Sequence, residues 1–172
     1  MESGRRGNRA LAQEVIDLLT ARGDTIAVAE SLTGGLLAAA LTAIPGASAA
    51  VRGGVVAYAT GLKAALLGVP AGLLERHGAV HPDVARAMAD GVRDRLGATV
   101  GAATTGVAGP EPQDGRPVGT VYIAVSARAS TTVRSLALSG GPADPGGHRE
   151  GVARPADLQI AGRRHMITAL RQ

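Results

Sequence analysis

An α/β domain of three layers, with helices on both faces of a mixed β-sheet, is the fold class this 172-residue sequence predicts. Helical and strand-like hydrophobic patterns alternate along most of the chain. Two strand patterns, VGTVYIAVSA and TTVRSLALS, follow each other across a short turn, as an antiparallel hairpin would. A chain of this length with 45% hydrophobic residues supports one core rather than two. A single domain over residues 8–172 is therefore expected, with 1–7 as a flexible N-terminus.

The elements follow in order. Residues 8–22 place Leu11, Val15, Ile16 and Leu19 at helical spacing before Gly23 stops the helix. TIAVAE (25–30) reads as a buried strand. It leads into a helix running to about Ile44, with Ser31 or Thr33 as cap. Pro45-Gly46 turns the chain into a second strand, GGVVAYA (53–59), and short helices follow around Leu62–Leu67 and Ala71–His77. His81-Pro82-Asp83 opens the clearest helix, whose stripe of Val84, Met88, Val92 and Leu96 faces a sheet. ATVGAATTG (98–106) is a buried strand ending in a Gly-rich loop, VAGPEPQDGRP, ahead of the hairpin. From Gly140 to Pro155 Gly, Pro and charge predict a loop, and a last helix spans about Asp157 to Leu170.

Composition excludes several function classes. There is no cysteine, hence no disulfide, thiolate metal site or cysteine nucleophile, which suits a reducing cytoplasm. The four His residues show no HExxH spacing and no carboxylate cluster, so neither a metal nor another cofactor is expected. No signal peptide and no apolar run of membrane-spanning length is evident, which points to no membrane partner. The net charge of +4 comes from scattered Arg, and two tyrosines are the only aromatics, so a sequence-reading nucleic-acid interface is not expected.

Of 18 basic residues, Lys63 alone is lysine. A guanidinium holds its proton; a buried ammonium can release one. Ser31 lies where a strand meets a helix, with backbone N–H groups converging beside it. The alternative is that Ser31 and Thr33 are plain helix caps. Gly34 and Gly35 let a ligand approach the helix start, and Thr33 is grouped with them as substrate-binding. Tyr58, near the end of the second strand, and Lys63, in the next short helix, can reach one sheet edge. Lys63 would act as base and Tyr58 as relay; the alternative is a core tyrosine and a snorkelling lysine. Thr105 and Gly106 form a second junction whose N–H groups can cradle an anion. Glu30 can cap backbone groups beside Ser31.

Six blocks in unbroken order resemble the CinA C-terminal domain family: AESLTGGLLAAALT (29–42), IPGAS (44–48), GGVVAYATGLKAALLGV (53–69), HGAVHPDVARAMADGVRDRLGA (77–98), TTGVAGP (104–110) and RPVGTVYIAV (116–125). The family includes nicotinamide-nucleotide amidases. The resemblance implies hydrolysis of the carboxamide of nicotinamide mononucleotide by Ser/Lys catalysis, with the family's serine, tyrosine and lysine falling on Ser31, Tyr58 and Lys63. The serine of the PG-x-S block falls on Ser48, an alternative nucleophile, and the TG-x-AGP residues fall on Thr105 and Gly106. Leu32 stands where the family usually has cysteine, which implies that this cysteine is not the nucleophile, the preferred reading, or that this chain has lost activity. Thr60 replaces a usual asparagine, and Arg149 falls loosely on a phosphate-binding position. A homo-oligomer, such as a dimer, is expected. The competing readings are a noncatalytic nucleotide-binding module and, more weakly, a basic nucleic-acid accessory protein.

Overall fold

The computed structural model describes residues 2–128, 130–137 and 164–171. Its elements are α1 (Glu2–Arg22), β1 (Ile26–Glu30), α2 (Leu36–Thr42), β2 (Val51–Val56), α3 (Thr60–Leu67), α4 (Ala71–His77), α5 (Pro82–Arg95), β3 (Val100–Gly106), β4 (Thr120–Ser126) and β5 (Thr131–Ala137). A last helix, α6, covers 164–170. The opening helix begins at Glu2 rather than Asn8, so it takes in residues expected to be a flexible lead. None of the described helices is long and apolar enough to cross a membrane.

The five strands form one sheet in the order β2-β1-β3-β4-β5. β1 is parallel to both β2 and β3, while β3–β4 and β4–β5 are antiparallel. This is the mixed sheet the sequence predicts, closed on one side by the expected hairpin, whose turn is held by reciprocal backbone bonds between Ala127 and Ser130.

Strand alternation sorts the core into two layers. Ile26, Val28, Val100 and Ala102 turn to the face covered by α1, α2 and α6, where Val15, Leu19, Leu37, Leu41 and Met166 pack on them. Ala27, Ala29, Ala103 and Ala124 turn to the opposite face and meet α5 through Val84, Met88 and Val92. Those three α5 side chains are fully buried, each contributing about 2 kcal/mol of hydrophobic stabilisation. The second face carries alanines because α5 lies close to the sheet. A Cβ on Gly101 would stand 2.0 Å from the Ala89 carbonyl oxygen. The same closeness recurs between helices, where a Cβ on Gly91 would be 1.9 Å from the Leu67 carbonyl oxygen.

Connectivity fixes where a site can form. From β1 the chain crosses through α2 to β2 on one side, whereas from β3 it turns to β4 on the other. Adjacent strands whose continuations diverge leave a crevice beyond their carboxyl ends, the usual ligand position in open α/β sheets. Here that crevice lies between the ends of β1, at Glu30, and β3, at Gly106.

Candidate active site

Ser31 is the first residue after β1, and its N–H donates to the Thr104 carbonyl at 3.1 Å, continuing the ladder with β3. The turn that follows is held by Glu30, not by Ser31 or Thr33. The fully buried Glu30 carboxylate accepts from the backbone N–H groups of Gly35 (3.1 Å), Leu37 (3.0 Å) and Ala38 (2.8 Å). A carboxylate here satisfies the open donors of α2 and meets the positive end of its dipole. Freed from capping, the Ser31 hydroxyl is available for chemistry.

Lys63 supplies the partner. Placed by the first turns of α3, its side chain is completely buried. Its Nζ lies 3.1 Å from Ser31 Oγ, 2.8 Å from the Ala57 carbonyl oxygen and 3.4 Å from the Tyr58 carbonyl oxygen. Burial pushes the Lys63 ammonium below the ordinary lysine range, and the Asp114 carboxylate opposes that shift. A neutral amine in this nest has its two N–H groups taken by carbonyls and its lone pair directed at Ser31, whose hydroxyl then becomes the donor.

A cavity of about 250 Å³ opens over this pair, lined also by Leu32, Tyr58, Thr60, Thr105, Gly106 and Glu111. In the β3–β4 ladder, Val107 donates to the Thr120 carbonyl. Antiparallel alternation therefore turns the Gly106 N–H away from β4, toward the side where β1 has ended. The Leu32 N–H, next to the Ser31 hydroxyl in sequence, has no partner among the described residues. These two N–H groups, on residues that line the cavity with Ser31, are the candidate oxyanion donors.

Several expected roles change. The Gly34 N–H is spent on the Ser31 carbonyl and the Gly35 N–H on Glu30, so neither glycine offers the cavity an anion-binding donor. Thr33 is buried, its hydroxyl 2.8 Å from that of Thr104, and is absent from the cavity lining. Tyr58 lines the cavity and is 72% exposed, and Lys63 contacts Ser31 directly, without the Tyr58 hydroxyl between them. Ser48 sits in a 3₁₀ turn before β2. The next residue but one, Ala50, bonds Ile26 at the start of β1, whereas Ala57 bonds Glu30 at its end. Ser48 thus lies at the opposite edge of the sheet, roughly 15 Å away along five strand residues, and is not brought to the site. Leu32, at the position of the family's cysteine, packs against Val121 and Ile123. Arg149 falls outside the described residues.

Sequence reasoning missed Asp114, whose carboxylate accepts from the N–H groups of Ala79 (2.7 Å) and Val80 (3.3 Å). The Asp114-Gly115 dipeptide was a turn signal that could have marked it. Among the described residues no group of three or more His, Asp or Glu side chains is placed to hold a metal ion.

The CinA C-terminal domain model matches residues 8–146. The chain belongs to the CinA C-terminal domain family. It is 60% identical over 126 residues to a CinA-like protein of Frankia casuarinae, covering 73% of this chain and 29% of that protein. It is 50% identical over 134 residues to a putative competence-damage inducible protein of Geobacillus kaustophilus, covering 77% of this chain and 32% of that one. The chain thus spans about three tenths of the length of these curated relatives. Solved structures of CinA-family proteins are similar throughout. The competence or damage-inducible protein of Enterobacter asburiae matches with a TM-score of 0.85 at 30% identity, over 95% of this chain and 98% of that one. That of Agrobacterium tumefaciens matches with a TM-score of 0.80 at 33% identity, over 96% of both.

Proposed function

We propose that this CinA-family domain is an amidase that hydrolyses the carboxamide of nicotinamide mononucleotide to nicotinate mononucleotide and ammonia. The observation that carries the reading is the 3.1 Å contact between a fully buried lysine amine and a serine hydroxyl in a cavity wall. A serine hydroxyl attacks poorly until a base takes its proton, and a desolvated lysine amine is such a base.

Ser31 Oγ attacks the carboxamide carbon while Lys63 Nζ takes the hydroxyl proton. The tetrahedral oxyanion is held by the Leu32 and Gly106 N–H groups. The carbon–nitrogen bond breaks as the Lys63 ammonium returns that proton to the leaving nitrogen, releasing ammonia and leaving an ester on Ser31. Water then attacks the ester, with Lys63 taking its proton and passing it back to Ser31 Oγ as the acid departs.

The family resemblance supplies the pyridine nucleotide. A groove of about 630 Å³ beside the cavity offers Arg76 and Arg116 as partners for a phosphate, with His77 and His81 and the carboxylates of Glu75 and Asp114 also in its lining. The two spaces are walled by the same segments, around Gly78-Ala79 and Gln113-Asp114. The test compares ammonia release from nicotinamide mononucleotide with that from the riboside lacking phosphate. The reading predicts at least about a tenfold loss of kcat/KM for the riboside, the scale of one charge-assisted phosphate contact. Equal turnover of the two would remove phosphate from the recognition.

A further inference from the structure

We propose that Asp114 is a positioning residue for the Ser31–Lys63 site: its carboxylate fastens the loop after β3 to the Ala79 N–H, and Ala79 in turn holds the end of β3 that lines the cavity. The proposal rests on the Ser/Lys reading of the site. Asp114 holds a positive φ of 52°, a conformation Asn and Asp adopt more readily than most residues, and Gly most readily. Its Oδ2 accepts the Ala79 N–H at 2.7 Å, and the Ala79 carbonyl in turn accepts the Thr105 hydroxyl at 2.7 Å. One residue, Ala79, therefore ties the loop to the end of β3, where Thr105 and Gly106 line the cavity together with Ser31. The seat is tight, since a Cβ on Gly78 would stand 2.1 Å from the Asp114 carboxyl carbon.

The carboxylate also acts through space. Burial lowers the Lys63 pKa and Asp114 raises it, so the aspartate restrains how readily the base is found neutral. The other titratable groups around the cavity are Tyr58, from the β2–α3 turn, and Glu111, from the Asp114 loop. Around Asp114 itself stand Arg116 and the stacked rings of His77 and His81, 4.1 Å between centroids. Lys63 remains the group to read, being the only lysine.

That uniqueness makes the test independent of turnover. In protein grown with 13Cε-lysine, one resonance reports Lys63, followed against pH in the parent and in Asp114→Asn. Asparagine keeps the backbone conformation and one acceptor oxygen while removing the charge. The Asp114→Asn signal is expected to titrate at lower pH than the parent's; superimposable curves would overturn the through-space role. In parallel, Asp114→Gly suits the positive φ but drops the anchor, and should lose at least about tenfold in kcat/KM with Tm and circular dichroism still reporting a folded protein. Full activity there would overturn the positioning role. A parent that releases no ammonia would refute the amidase reading instead, and the lysine titration would still decide the charge coupling.

Discussion

A neutral lysine amine has two N–H groups and one lone pair, and the surroundings of Lys63 have a place for each: two carbonyls and the Ser31 hydroxyl. Arginine in the same place keeps its proton and cannot act as base. Lys63→Arg should therefore lower kcat by about 1,000-fold or more, the loss typical of removing an activating base. Because burial depresses the Lys63 pKa, kcat/KM should rise with pH to a plateau whose midpoint lies below the ordinary lysine range. A midpoint at or above about 10.4, the free lysine value, would contradict the desolvated base. The sign for stability follows from the same shift. The unfolded chain binds the proton more tightly than the fold, so the charged, buried amine costs stability at low pH. That cost is relieved as pH rises from the depressed pKa toward the ordinary one. Lys63 was legible in the sequence because it is the only lysine and lands among leucines. Ser48 entered through the resemblance alone, and the Ile26–Ala50 pairing places it near the amino end of β1, away from the cavity.

At the scale of elements, β1 and α2 are joined by a turn whose shape depends on a side chain one residue before the nucleophile. Removing the Glu30 carboxylate leaves three N–H groups at the start of α2 without their acceptor. Glu30→Ala should cost about 3 kcal/mol, seen as a fall of about 10 °C in Tm. An unchanged Tm would show that the turn is held some other way. The short-range pattern, a Glu followed by Ser and two glycines, showed that a cap was needed but not which side chain supplies it. Only the fold shows Glu30 reaching forward to α2 while Ser31 points away. For α5, propensity alone says that Gly91→Ala stabilises by about 1 kcal/mol. The Leu67 carbonyl in the way reverses that, and a destabilisation of about 2 kcal/mol is expected by denaturant unfolding. A more stable variant would mean that α3 and α5 separate without penalty. The amphipathic stripe of α5 was plain in the sequence; its closeness to α3 was not, since Gly91 reads locally as a weak point in a helix.

For the whole molecule, the layer order and hairpin were legible because buried parallel strands and an alternating final hairpin leave different patterns. What sequence periodicity does not carry is strand order. The arrangement β2-β1-β3 turns two ordinary strand ends into a crevice, bringing Ser31, Lys63 and Gly106 together from three elements. The Gly-rich loop after β3 read as an anion cradle, and what the sequence did not show is the Asp114 carboxylate in it that accepts from the Ala79 N–H, a partner 35 residues away in the chain. The central claim, a serine amidase driven by a buried lysine at this crevice, is tested most directly by ammonia release from nicotinamide mononucleotide. The purified parent would be run without added metal beside Ser31→Ala, Lys63→Arg and Ser48→Ala. The account predicts release by the parent and by Ser48→Ala, and loss in Ser31→Ala and Lys63→Arg with both still folded. Release that survives Ser31→Ala, or a folded parent that binds the nucleotide without turning it over, would contradict it.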